Sequence, residues 1–137
     1  MTDILAGLAT GLPLLVMHFL ITAILLVVGV GLHALLTPMK ERELVAAGNT
    51  AAAVSLSAAT LGLALPLGAT LATAQTVLDI LIWGAIGVVV QVAIFTIARL
   101  IAPSLPSRIE KGDMAAAITL AGWQIAIGLL NAAALVG

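Results

Sequence analysis

The chain has 137 residues, of which 63% are hydrophobic and 8% charged, with a mean hydropathy of +1.29, whereas a soluble domain carries about a quarter charged residues. That composition leaves no material for a water-facing shell, and it disfavours a nucleic-acid surface, a secreted disulfide scaffold and a soluble enzyme domain together. The formal net charge of -1 names no partner, and the absence of cysteine removes disulfides, thiolate metal sites and a Cys nucleophile.

A helical crossing of hydrocarbon roughly 30 Å thick takes about 20 apolar residues, so this length accommodates about four crossings with short connections. Residues 4–39 hold no Asp, Glu, Lys or Arg. Within them Gly11-Leu12-Pro13 predicts a first helix from about Pro13 to Leu36, with proline in its first turn, ended by Thr37-Pro38. Residues 44–78 are also charge-free. There Pro66, Gly68 and the series Thr70, Thr73, Gln75 and Thr76 predict a helix from about Asn49 to Leu67, then a polar loop over 68–78. A third helix is expected from Asp79 to Ile101, before Ala102-Pro103, and a fourth from Asp113 through the charge-free remainder. The first apolar stretch is too long for a signal peptide and no basic residue precedes it. Period-two alternation is absent, which excludes porin-type strands.

Lys and Arg beside membrane helices are retained on the cytoplasmic side. Lys40 and Arg42 lie between the first two helices, and Arg99, Arg108 and Lys111 lie at or between the ends of the last two. Both termini and the 68–78 loop are therefore expected outside. The N-terminal tail, with Asp3 as its one charge, is short enough to cross without a cleaved signal.

An offset of 64 residues aligns Gly48-Asn49-Thr50-Ala51-Ala52-Ala53-Val54-Ser55-Leu56 with Gly112-Asp113-Met114-Ala115-Ala116-Ala117-Ile118-Thr119-Leu120. Eight of these nine pairs are identical or conservative, Thr50 with Met114 being the exception. Leu35-Leu36-Thr37-Pro38 aligns with Leu100-Ile101-Ala102-Pro103 at an offset of 65. The pattern predicts a tandem duplication of a two-helix hairpin, repeat 1 about 13–67 and repeat 2 about 79–136. An even number of crossings per unit enters the membrane the same way twice, so the axis relating the copies would lie along the membrane normal. Asn49 and Asp113 read as helix caps, each accepting from a free N–H of the first turn. Anion binding at the two helix starts is the weaker reading.

These motifs resemble the YjfL-like family of small bacterial inner-membrane proteins, grouped as domain of unknown function 350. The shared pattern is four spans, a doubled Gly-Asn/Asp-x-Ala-Ala-Ala-Ile/Val element, acidic residues before its first copy (Glu41 and Glu43), and Asp79 with Trp83 at the start of helix three. The resemblance covers nearly the whole chain. It implies a fold and a membrane location but no reaction; members occur near membrane-stress and polyamine-related proteins, which implies at most an associated role.

Polar side chains inside the spans supply the candidate sites. Gln91 and Gln124 fall near mid-depth, with Thr60 as the repeat-equivalent of Gln124, and they read first as locks between helices and second as the lining of a path. His18, Asn131 and Asp79 lie within about two turns of one another in depth, the best ionisable group on offer. Asp79 reads as a solvated helix start and His18 as a hydrogen-bonded histidine. His33 is expected at the interface. No spacing matches a metal site, a catalytic triad or a phosphate loop, so no metal and no cofactor are expected.

Rows of small residues predict that the second and fourth helices pack tightly or self-associate, through Ser55 and Ala59, Ala58 and Gly62, Ala117 and Ala121, Gly122 and Ala126, and Gly128 and Ala132. Leu- and Val-rich faces of the first and third helices should meet lipid, and Trp123 should pack on the small residues of helix two. The 37–48 loop reads as a self-compensating turn, or as a dock for a cytoplasmic protein. The sequence thus predicts an all-α integral membrane protein with four transmembrane helices in two tandem repeats, both termini outside. Its expected role is a non-enzymatic homo-oligomerising accessory or scaffold subunit linked to membrane stress, with lipid around it and no nucleic acid. The alternative is a small channel or transporter with a pathway between protomers, lined by Gln91, Gln124 and Thr60 and gated near His18 and Asp79.

Overall fold

The computed structural model describes residues 1–137 as six helices with no strand. Four are long and apolar enough to cross a membrane: α1 (Thr2–Leu36), α3 (Thr50–Thr73), α4 (Val77–Ile101) and α6 (Met114–Val136). Two short helices, α2 (Glu41–Ala46) and α5 (Leu105–Glu110), join α1 to α3 and α4 to α6. All five basic residues lie at this end of the bundle, Lys40, Arg42, Arg108 and Lys111 in or beside the short helices and Arg99 in the last turn of α4.

Each short helix closes with a glycine at positive φ, Gly48 at 87° and Gly112 at 82°, conformations that a side chain would strain. The chain then turns straight into a capped helix. Asn49 accepts from the Ala52 N–H at 3.0 Å and Asp113 from the Ala116 N–H at 3.2 Å, as expected for both. Between the two caps, Met39, Ala51, Ala52, Ile109, Ala116 and Ala117 form a buried apolar cluster.

Two boundaries differ from expectation. Helix α1 begins at Thr2, so Pro13 lies inside it, and α3 runs to Thr73 with Pro66 inside it, leaving residues 74–76 in place of the 68–78 loop. In hydrocarbon no water replaces a lost helical bond, so ending a helix at a proline orphans more backbone groups than continuing through it. The Thr70 and Thr73 hydroxyls donate to the Pro66 and Ala69 carbonyls at 3.0 Å, which spends their polarity inside the helix.

Helices α3 and α6 run parallel and make the tightest crossing of the bundle. A Cβ on Gly128 would stand 2.5 Å from the Gly62 carbonyl oxygen, and a Cβ on Gly62 would stand 2.8 Å from the Gln124 carbonyl oxygen. The hydrogens occupying those directions therefore point at carbonyls, a weak Cα–H···O contact worth about 0.5–1 kcal/mol. Pro66, four residues after Gly62, has no N–H to offer the Gly62 carbonyl, which leaves that acceptor free for α6.

Helix α4 packs on α1, α3 and α6, and α1 packs also on α3. The Leu- and Val-rich faces of α1 and α4 are exposed, Val27 and Leu35 on α1 and Leu78, Val89 and Leu100 on α4 among them, while the opposite face of α4, with Ile80, Gly84, Gly87, Val88, Gln91 and Phe95, is buried. Trp123, expected against helix two, is 64% exposed on the outer face of α6, because the Gly128–Gly62 approach turns Gln124, Ala121 and Ala117 inward instead.

Along α1, Leu25 lies against Gly84, Gly29 against Val88 and His33 against Phe95. Counting back from Gly84 puts Val77, the start of α4, level with His18. Residues 2–17 are all exposed and run on beyond the other helices by about 24 Å at 1.5 Å per residue.

The crossing gives a paired test. Gly122 has open space at its Cβ position and Gly128 does not. Gly122→Ala should leave the thermal midpoint in detergent unchanged or raised, since alanine favours helix by up to about 1 kcal/mol. Gly128→Ala should lower it despite the same propensity gain, overpacking costing about 1–3 kcal/mol.

Candidate functional site

The most concentrated polar chemistry lies where α1, α2 and α3 meet at the basic end. His33, in the last turn of α1, is 6% exposed, and Glu41, the first residue of α2, is 2% exposed. The His33 Nε2 lies 3.2 Å from Glu41 Oε2, and the Ser55 hydroxyl on α3 donates to Glu41 Oε1 at 3.1 Å. Although close in charge contact, Oε2 lacks a hydrogen-bond partner of good geometry. Phe95 of α4 stands edge-on to the imidazole, ring centroids 4.9 Å apart. The Thr37 hydroxyl donates to the His33 carbonyl at 2.7 Å and closes the helix, while the Arg99 guanidinium donates to the Leu36 carbonyl.

The local sequence explains the placement. Thr37-Pro38 breaks α1 one turn after His33, and Met39, 3% exposed, anchors the reversal in the apolar cluster. A helix starting at Glu41 places that residue on one face with Leu44, one turn on, which packs against the same cluster. The alternating run Lys40-Glu41-Arg42-Glu43 reads as a solvated turn, and for Lys40 and Glu43, paired at 3.3 Å and largely exposed, it is one. Glu41 departs from it. The helical face it shares with Leu44 is the signal that would have found it, and the same packing turns His33, at the end of α1, into the protein.

A second junction sits at mid-depth. Gln91 of α4 donates through Nε2 to the Gln124 backbone carbonyl of α6 at 3.1 Å, with Gly62 of α3 against both. Gln91 is fully buried and Gln124 2% exposed, and the side-chain oxygen of each is unpartnered. Thr60 donates to the Leu56 carbonyl of its own helix at 2.9 Å and does not join them.

The outer ionisable group is dispersed. Asp79 forms a capping box with Thr76, accepting from its N–H and its hydroxyl at 2.8 Å each and returning a bond through the Asp79 N–H. Asn131 donates to the Gly87 carbonyl at 3.0 Å, about 12 Å deeper than Asp79 along α4. His18 is 9% exposed with Nε2 unpartnered, and its carbonyl accepts from the Thr22 hydroxyl at 2.8 Å.

The two capping residues differ in what else they do. The Asn49 amide donates to the Ile109 and Glu110 carbonyls at 3.1 and 3.0 Å, tying the first half of the chain to α5. Asp113 instead takes the Arg108 guanidinium, Nη2 to Oδ2 at 2.7 Å. The Ala116 N–H first, and Arg108 after it, hold the Asp113 carboxyl below its ordinary value of 3.8.

Comparison with known proteins agrees with this architecture. The family described as Domain of Unknown Function (DUF350) matches residues 7–135. The chain is 30% identical over 116 residues to the UPF0719 inner membrane protein YjfL of Escherichia coli strain K12, covering 85% of this chain and 88% of that one. The protein of the same name from Escherichia coli O157:H7 matches to the same extent. No solved structure matches the chain significantly.

Two outcomes follow from these contacts. Glu41→Ala strands a buried imidazole and the Ser55 hydroxyl, so it should destabilise the bundle by about 3 kcal/mol, against less than about 1 kcal/mol for Glu43→Ala at its exposed pair; thermal unfolding in detergent measures both. At the caps, Asp113→Asn should be tolerated, whereas Asn49→Asp keeps the cap but turns two donors into repulsion against carbonyls and should lower the midpoint. Because the Asp113 carboxyl is depressed on folding, its contribution is present above the ordinary carboxylate range and lost as pH falls through the depressed value. The protection factor of the Ala116 amide, its exchange measured against the intrinsic rate at each pH, should therefore fall in acid below about pH 4, and Asp113→Asn should abolish that acid step.

Proposed function

The chain belongs to the DUF350 family and is an inner-membrane protein with four candidate spans, and we propose that it works as a non-enzymatic, self-associating membrane scaffold whose association arm is the outer part of α1. The observation that carries this reading is the unpartnered run of residues 2–17. Helix α1 has 35 residues and a length of about 52 Å, against about 34–38 Å for α3, α4 and α6. Seating it in hydrocarbon about 30 Å thick by tilt alone needs more than about 50°, beyond the usual range of 0–40°. The run is mostly apolar, with Ile4, Leu5, Leu8, Leu12, Leu15 and Met17 exposed and only Thr2, Asp3 and Thr10 polar. A second copy presenting the same run covers it symmetrically. Gly7 and Gly11, one turn apart with nothing within 4 Å of either Cβ position, allow close backbone approach there.

Most of the small residues of α3 and α6 that could serve self-association are buried inside the bundle, Gly122 and Ala126 excepted, which supports placing the interface on α1. Gln91 and Asn131 donate to helix backbones and Thr60 to its own helix, which favours packing over the transport alternative. Two further readings belong to the proposal. The halves α1–α3 and α4–α6 are tandem copies, a reading supported by the matching starts of α2 and α5, the two positive-φ glycines and the two caps at one offset of 64. Both termini face outward, a reading supported by the gathering of basic residues at the α2–α5 end.

In lipid nanodiscs or mild detergent the protein should run as a dimer or higher assembly by light scattering. Gly7→Leu with Gly11→Leu should weaken association about tenfold, or about 1.4 kcal/mol, without moving the unfolding midpoint. A monomer at all concentrations, or an unaffected double variant, refutes the scaffold reading. An impermeant thiol reagent on intact cells should label Thr2→Cys and spare Arg42→Cys; the reverse refutes the orientation.

A further inference from the structure

Where the six helices meet at the basic end lies a small, partly open cavity of about 30 Å³, bordered by His33, Thr37, Glu41, Ser55, Arg99 and Gln124 among others. That is room for one or two waters. Two buried acceptors among its lining residues lack hydrogen-bond partners, Oε2 of Glu41 and the side-chain oxygen of Gln124. We propose that this is a proton-binding site, in which His33 and Glu41 share one exchangeable proton, with cavity water serving the two open acceptors.

The charges facing the cavity decide the ligand. From α1 comes His33, from α2 Glu41 and from α4 Arg99; α3 and α6 contribute the neutral Ser55 and Gln124, and α5 contributes no titratable group. Arg99 is engaged with the Leu36 carbonyl at the rim. With His33 neutral, the His33–Glu41 pair carries one buried negative charge, which is costly out of water. One added proton cancels it, as imidazolium beside carboxylate or as imidazole beside carboxylic acid. A metal cation would have to enter beside Arg99 with one carboxylate for a ligand, and a second anion has no donor set here. A pair that served only as a staple would need neither the cavity nor the open acceptors. Ionisable groups buried inside a membrane bundle read first as functional sites. The proposal does not depend on self-association.

A hydrophobic carbodiimide reads the site, because it modifies a carboxyl only in its protonated form: the carboxyl oxygen bonds the central carbon and the proton passes to nitrogen. Purified protein in nanodiscs, labelled across about pH 5 to 8, where an imidazole changes charge, and mapped by peptide mass spectrometry, should carry the adduct on Glu41 several-fold more than on Glu43 or Glu110. Labelling should rise as pH falls. His33→Gln removes the sharing partner and should flatten that profile, while replacing choline chloride with sodium chloride should change nothing. Equal labelling of the three glutamates, an unchanged profile in His33→Gln, or suppression by sodium overturns the proposal, the last by assigning the cavity to a metal cation.

Discussion

Hydrocarbon offers no water to a backbone carbonyl, and the bundle is organised around one carbonyl that its own helix cannot satisfy. Pro66 denies the Gly62 oxygen its helical donor, and the close approach of Gly128 is the answer from α6. That approach requires a glycine on each side, fixes the parallel α3–α6 crossing and brings the Gln124 carbonyl within reach of Gln91 on α4. Three of the four spans are thereby tied at one depth. Only α1 is held by apolar side-chain contact alone at this level, through Gly29, Leu63 and Val88.

The ends of the bundle follow a different rule. At the basic end the chain makes two tight reversals, each needing a positive-φ glycine and a side-chain cap. The short helices between them pack on the apolar cluster of Met39, Ala52 and Ile109, and beside it one carboxyl is taken inside. Glu41 is drawn in because its helical face is also the face of Leu44, and its carboxyl is met by His33 and Ser55. At the opposite end Asp79 is solvated and spends its carboxylate on the start of α4.

Much of this architecture was legible in the sequence because composition and charge placement report directly on solvent. Four apolar runs, five basic residues and the caps Asn49 and Asp113 each have one cheap physical reading, and the structure agrees with the spans and the caps. Prolines were misread, since Pro13 and Pro66 terminate helices in water and are carried through in lipid. Trp123 was misplaced because the rotation of α6 is set by Gly128, which composition does not reveal. The Glu41–His33 contact joins residues on either side of the turn between α1 and α2, and its burial depends on where a six-residue helix docks. The family match supports the fold and location, and the polar sites rest on the geometry alone.

The Asn49 amide has a consequence for how the chain assembles. Its two acceptors, the carbonyls of Ile109 and Glu110, are made some sixty residues later. During synthesis the first hairpin is made with those donors still wet, and the α2–α5 end cannot close until the second hairpin arrives. Asp113 makes no reciprocal demand on the first half, since its partners are near in sequence. Order of synthesis and order of closure are thus matched in one direction only, so a chain with its halves exchanged would meet the same contacts in the wrong sequence of events.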